Sequence, residues 1–163
     1  MESANEFIQL ANSSRFKFFL LRKLPSAYFS GVRLKTLSED ACLVTVPFKW
    51  FSQNPFRSTY FACLAMAAEL STGALAMAQV YKRKPAVSML VVKMEAAYFK
   101  KATELTIFTC NNGAEFKKSV ADAIETGESQ ALTAYSEGRN AAGELIARFS
   151  FTWSFKAKLP NAG

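Results

Sequence analysis

Residues 54–81 read NPFRSTYFACLAMAAELSTGALAMAQVY. Ser58 and Thr59 are good N-cap residues and the basic cluster Lys82, Arg83 and Lys84 follows the last apolar residue, so the spacing predicts one long helix over Ser58–Tyr81. A single carboxylate, Glu69, sits in its middle among Ala, Cys, Met and Gly, so the helix carries no polar stripe and is expected to be buried on all sides. Such a helix needs a wrapper, and strand-like segments of about 6 to 12 residues elsewhere in the chain are expected to curl around it. Its length also admits a membrane-spanning reading. A mid-span glutamate costs about 2.5 to 3.5 kcal/mol in a bilayer and alanine offsets little of it, so a core helix is expected instead.

With 163 residues the chain is expected to form a single domain, 1–163, in which about two thirds of the unfolded surface is buried. Half of the residues are hydrophobic and 15 are Phe, which excludes the low-hydrophobicity class of disordered chains. The complete lack of histidine excludes His-based triads, HExxH metal sites and imidazole acid–base chemistry. Any catalysis must use a carboxylate, a hydroxyl or the backbone. Cys42, Cys63 and Cys110 are widely spaced without a CxxC, so neither a disulfide framework nor a zinc site is expected. The N-terminus is acidic where an export signal would be basic, and a cytoplasmic location is expected. The net charge of +7 is compatible with nucleic acid, an anionic membrane or a phosphate-bearing ligand, and equally with a solvated basic surface. The long strands place their aromatics on an apolar face rather than among the basic residues, which argues against nucleic acid.

Phe7, Leu10, Ser14, Phe18 and Leu21 recur at helical spacing, predicting one basic amphipathic helix over about residues 5–24 that docks on the body or touches a membrane surface. From Gly31 the period becomes two, predicting a hairpin over residues 31–46 with its turn at Ser38–Asp40. After Pro85, Val87–Phe99 reads as a long strand whose core face holds Leu90, Val92, Met94, Ala96 and Tyr98. Thr103–Cys110 reads as a strand, Ala114–Thr126 as a helix stopped by Gly127, and Ser129–Glu137 and Glu144–Phe155 as two closing strands. The tail after Lys158 is expected to fray.

A strand hairpin, a loop containing Asn, a long Ala-rich helix with a mid-helix acid and then further strands resemble, over about residues 28–155, the hotdog fold of acyl-CoA thioesterases and dehydratases. The chain looks most like an uncharacterised hotdog family, a domain of unknown function, related to the phenylacetyl-CoA thioesterase-like proteins. The resemblance implies an α+β fold: a curved antiparallel sheet of about six strands around the central helix, with an extra N-terminal helix and a helix inserted between late strands. Those enzymes carry a loop Asn, then His-Gly-Gly at the helix start, then Asp nine residues after the His. Here Asn54 corresponds to the loop Asn, Tyr60, Phe61 and Ala62 stand for His-Gly-Gly, and Glu69 holds the acid position. Hotdog dehydratases need a His with their carboxylate, so the resemblance implies hydrolysis of an acyl-CoA or other acyl thioester. Coenzyme A would enter only as part of the substrate, with no separate cofactor and no metal. A non-catalytic acyl-binding or scaffold dimer is the alternative.

Glu69 lies nine residues beyond Tyr60, about 13 Å along the helix axis, so one chain cannot bring both to one carbonyl. In the resembled fold antiparallel helices of two subunits do so, which implies a homodimer, with Val87–Phe99 pairing edge to edge with its copy, and a shared site. Glu69 is then base or nucleophile and the N–H groups at Thr59, Tyr60 and Phe61 are oxyanion donors, while a purely structural, paired carboxylate is the other reading. Thr72 either orients the carboxylate or bonds its own helix, and Gly73 either leaves room for an acyl chain or permits close packing. Asn54 either holds a ligand carbonyl or begins the turn at Pro55. Lys82, Arg83 and Lys84 either bind the phosphates of coenzyme A or complement the helix dipole.

Overall fold

The computed structural model describes residues 2–158; the tail expected to fray lies outside them. Three short helices come first: α1 (Glu2–Ala11), α2 (Phe16–Lys23) and α3 (Pro25–Phe29). The hairpin β1 (Arg33–Leu37) and β2 (Cys42–Val46) follows, then α4 (Phe61–Val80), β3 (Val87–Tyr98), β4 (Thr106–Cys110), α5 (Gly113–Thr126), β5 (Gln130–Arg139) and β6 (Leu145–Ala157). All paired strands are antiparallel, in the order β1-β2-β4-β5-β6-β3. The hairpin, the inserted helix and the two closing strands therefore form as their periodicities predict, and α5 ends at Gly127 with φ +71.

The curved sheet wraps α4. Ala67, Ala68, Ala74, Leu75 and Ala76 are buried against it, and the small side chains let strand and helix backbones approach closely. One polar contact pins the two layers: the Ser71 and Ser136 hydroxyls lie 2.7 Å apart in the core. Ser71 gives its single proton to the carbonyl of Ala68, so Ser136 must be the donor across the layer. From the sheet, Phe149, Phe151, Trp153 and Phe155 of β6 point inward at every second position, and Phe116 of α5 meets Phe155 edge-on.

Three expectations are corrected. The predicted helix over residues 5–24 is two helices, because the Asn12 side chain both donates to the carbonyl and accepts from the N–H of Leu37, capping the end of β1 as a strand would. Ser13 bonds back to Leu10, and together these side-chain bonds take the backbone out of the helix. The central helix starts at Phe61 rather than Ser58, since Asn54 holds the N–H groups of Phe56 and Ser58 and Thr59 bridges to Gln53. The chain is thereby kept extended up to Tyr60. The third concerns β3, where a bulge between Val91 and Lys93 reverses the alternation. Val87, Met89 and Val91 share the inner face with Met94, Ala96 and Tyr98, and Leu90 points the other way. Leu90, Val92, Met94 and Tyr98 are all exposed, so the predicted core face is not covered within this chain.

Candidate active site

Two concavities flank α4. The first, about 790 Å³, opens at the helix start and is lined by Asn54, Phe56, Thr59, Tyr60, Tyr98 and Lys101 among others. The second, about 420 Å³, lies at mid-helix between α4, the first two helices and Met89 of β3.

The first is shaped by a tightly bonded loop. Asn54 Oδ1 accepts from the N–H groups of Phe56 and Ser58, and its amide donates to the Ser58 hydroxyl. The structure thus shows Asn54 as the organiser of its own turn. Thr59 N–H donates to the carbonyl of Ala102 and Tyr60 N–H to that of Ser52. Of the three expected oxyanion donors only Phe61 keeps a free N–H, and the neighbouring Ala62 N–H, which sequence reasoning missed, is also without a protein acceptor among the described residues. Two adjacent free donors at the start of a 20-residue helix form an anion-attracting pair. The Thr59 hydroxyl beside them is buried without a partner among the described residues.

Glu69 borders the second concavity. Its carboxylate accepts no hydrogen bond and makes no ion pair among the described residues, and burial raises its pKa above the ordinary glutamate value of 4.5. Phe7, Phe16, Phe19, Leu70 and Met77 supply the apolar lining, with Lys23 as the one cation on the wall among the described residues. Thr72 does not orient the carboxylate: its hydroxyl donates to the backbone carbonyl of Glu69 and accepts from the indole N–H of Trp153. Gly73 is closely packed, with the Glu69 carboxylate and the Trp153 ring beside it. A Cβ there would sit 2.9 Å from Glu69 Oε1 and 3.3 Å from Trp153 Cη2.

Lys82, Arg83 and Lys84 stand beyond the far end of α4, about 30 Å from its start, and line neither of the two concavities. Lys82 pairs with Glu6 at 2.6 Å, which raises its pKa through that hydrogen bond, and this supports a structural role. The basic residues at the first concavity are instead Lys100, paired with Glu144, and Lys101. Their signal in the sequence was only a Lys-Lys step after a strand. No trio of His, Cys, Asp or Glu side chains is grouped as metal ligands among the described residues.

A six-stranded antiparallel sheet curled around one long central helix defines a hotdog fold. The chain belongs to the family described as domain of unknown function DUF4442, whose model matches residues 12–155. No curated protein matches it by sequence. A Pseudomonas aeruginosa protein of unknown function named a probable thioesterase is similar in structure, with a TM-score of 0.72 and 18% identity over 94% of this chain and 95% of that one. A protein of unknown function from Chlorobaculum tepidum gives 0.77 and 14% over 92% and 96%. The Haemophilus influenzae thioesterase gives 0.63 and 13% over 88% and 90%.

Proposed function

We propose that the chain hydrolyses an acyl thioester, with acyl-CoA as the substrate class, at a site completed by two copies of the chain. The observation that carries this reading is Glu69: a carboxylate without a partner, above a glycine and facing an apolar pocket, at the position where the resembled enzymes keep their acid. Glu69 is half-buried, and a carboxylate taken partly out of water with no cation or donor beside it among the described residues is more costly than a paired one, which supports a role towards a ligand over a structural one.

The β3 edge supports this pairing of two copies. It carries Met89 at the Glu69 pocket and Tyr98 at the helix-start cleft. Antiparallel self-pairing of β3 about its middle sets the Met89 end of one copy beside the Tyr98 end of the other. The acid of one subunit then faces the free Phe61 and Ala62 N–H groups of the second. Glu69 takes a proton from water as the water oxygen attacks the thioester carbonyl, and the N–H pair receives the negative charge forming on the carbonyl oxygen. Collapse breaks the carbon–sulfur bond, releasing the carboxylic acid and a thiol that takes back the proton. Lys101 at the cleft is suited to a substrate phosphate. The Cys side chains, all free and buried, suit a reducing compartment such as the cytoplasm.

A second reading, an acyl-binding dimer without chemistry, is favoured by one observation: Tyr60 and Phe61 put exposed aromatic rings where the resembled motif has His and Gly. Hydrolysis of acyl-CoA thioesters across chain lengths by wild type and Glu69→Gln separates the two. The hydrolase reading expects turnover that falls about a hundredfold or more in the variant. Binding of acyl-CoA without turnover, or full activity in Glu69→Gln, leaves the binding module.

A further inference from the structure

We infer that the segment from α2 to α3 is a docking surface for an anionic lipid bilayer, which sets the mouth of the Glu69 pocket at the membrane. Residues 7–38 carry six basic side chains and no carboxylate. Among them Arg15, Lys17, Arg22 and Lys23 are exposed and have no ion-pair partner among the described residues, in a chain whose other surface cations are often paired.

Apolar side chains lie between these charges. α2 buries Phe16 and Leu20, yet Phe18 on its opposite side is 68% exposed and Leu21, one turn further on the same arc, is exposed too. Lys17 and Arg22 flank that pair on the helix circumference. Leu24 and Phe29 extend the exposed apolar surface beyond α2, and Phe29 lies tilted against Phe51, which is itself beside exposed Trp50. A helix with apolar residues on both faces and cations between them on the outer one satisfies two surfaces: the protein core beneath and the headgroup boundary above. The charge decides the occupant. A second copy of this chain would bring the same uncompensated cations and repel, whereas anionic headgroups neutralise them.

Lys23 and Leu24, at the end of this surface, also line the apolar pocket beside Glu69. Docking therefore gives an acyl chain a route from bilayer to pocket without crossing water. This consequence rests on the thioesterase reading, but the docking itself does not.

The test is co-sedimentation of the full chain with phosphatidylcholine vesicles and with vesicles doped with phosphatidylglycerol. The expected result is pelleting with the doped vesicles that weakens as salt rises, falls about tenfold or more in Lys17→Glu/Arg22→Glu, and falls also in Phe18→Ser. No pelleting, equal pelleting with neutral vesicles, or binding that ignores Phe18→Ser overturns the inference. So does a smaller particle mass for Phe18→Ser in light scattering, because a second copy then covers the face. Vesicle binding needs no turnover, so its failure leaves the hydrolase reading standing, and an inactive protein that still pellets leaves this one.

Discussion

Glu69 is where folding and chemistry pull against each other. Burial among Phe, Leu and Met disfavours its charged form, so the folded state holds the proton to higher pH than the unfolded chain does. Its folded pKa is raised, so its contribution to stability is fully present below the ordinary value of 4.5 and is lost as pH rises through the folded value. The charged groups facing the pocket do not reverse this, since among the described residues Lys23 on α2 is the only cation lining it and forms no ion pair with Glu69. Glu69→Gln keeps the shape and removes the titration. Its melting temperature should match wild type near pH 4 and exceed it by about 2 °C or more at pH 8, measured by calorimetry at both pH values. Glu137, whose pKa is lowered by hydrogen bonds from Arg139 and Arg148, titrates alike in both proteins and cancels in the comparison. A gap that stays constant with pH would mean that Glu69 is not desolvated. This residue was legible in the sequence because an unaccompanied carboxylate inside an apolar run is conspicuous. The free N–H groups of Phe61 and Ala62 were less so, because they depend on which carbonyls the preceding loop engages, and Ser52 and Ala102 reach that loop only in three dimensions.

At the scale of elements, strict alternation made β6 readable and a bulge made β3 misleading. From Phe149 to Phe155 of β6 each second residue is a large aromatic with Ser or Thr between, so only one register buries the right face. In β3 the run Leu90-Val91-Val92 is apolar at every position, and an added residue at the bulge leaves no trace in composition. The break between α1 and α2 was hidden for a similar reason, since Asn12 ends α1 by bonding Leu37, a partner distant in sequence. Pairing between β4 and β5 rests on another feature of this kind. Gly138 lies opposite Phe108, and a Cβ there would come within 2.5 Å of the ring at Cε1. Phe108 is wholly buried and packs against Phe149, so the ring has nowhere to retreat. Gly138→Ala is therefore expected to cost about 1 to 3 kcal/mol, read as a midpoint shift in denaturant at unchanged slope. A midpoint equal to wild type would show that the ring moves aside freely.

For the whole molecule the two sheet edges differ, and the difference bears on assembly. The β1 edge is five residues long, irregular between Leu34 and Thr36, and closed at one end by Asn12. The β3 edge is twelve residues long and exposes Leu90, Val92, Met94 and Tyr98 beside a row of unpaired backbone groups. An edge of that length and composition is a template for a second strand, and the proposed site needs the same pairing to bring Glu69 to the Phe61 N–H of another copy. Light scattering at micromolar concentration should report two chains for wild type and one for Met94→Asp, which places like charges close together at the pairing edge. Sharing of the site is tested by mixing two variants, each expected to be inactive alone. Glu69→Gln removes the acid, and Phe61→Pro removes one free N–H at the first helical position, where proline is tolerated. In a mixed dimer one site carries both defects and the other neither. After random exchange of subunits, half of the dimers are mixed and each has one intact site, so hydrolysis should return to about a quarter of wild type. A mixture as inactive as its components, with subunit exchange verified by mass, would place the acid and the N–H donors in one chain and end the shared-site reading.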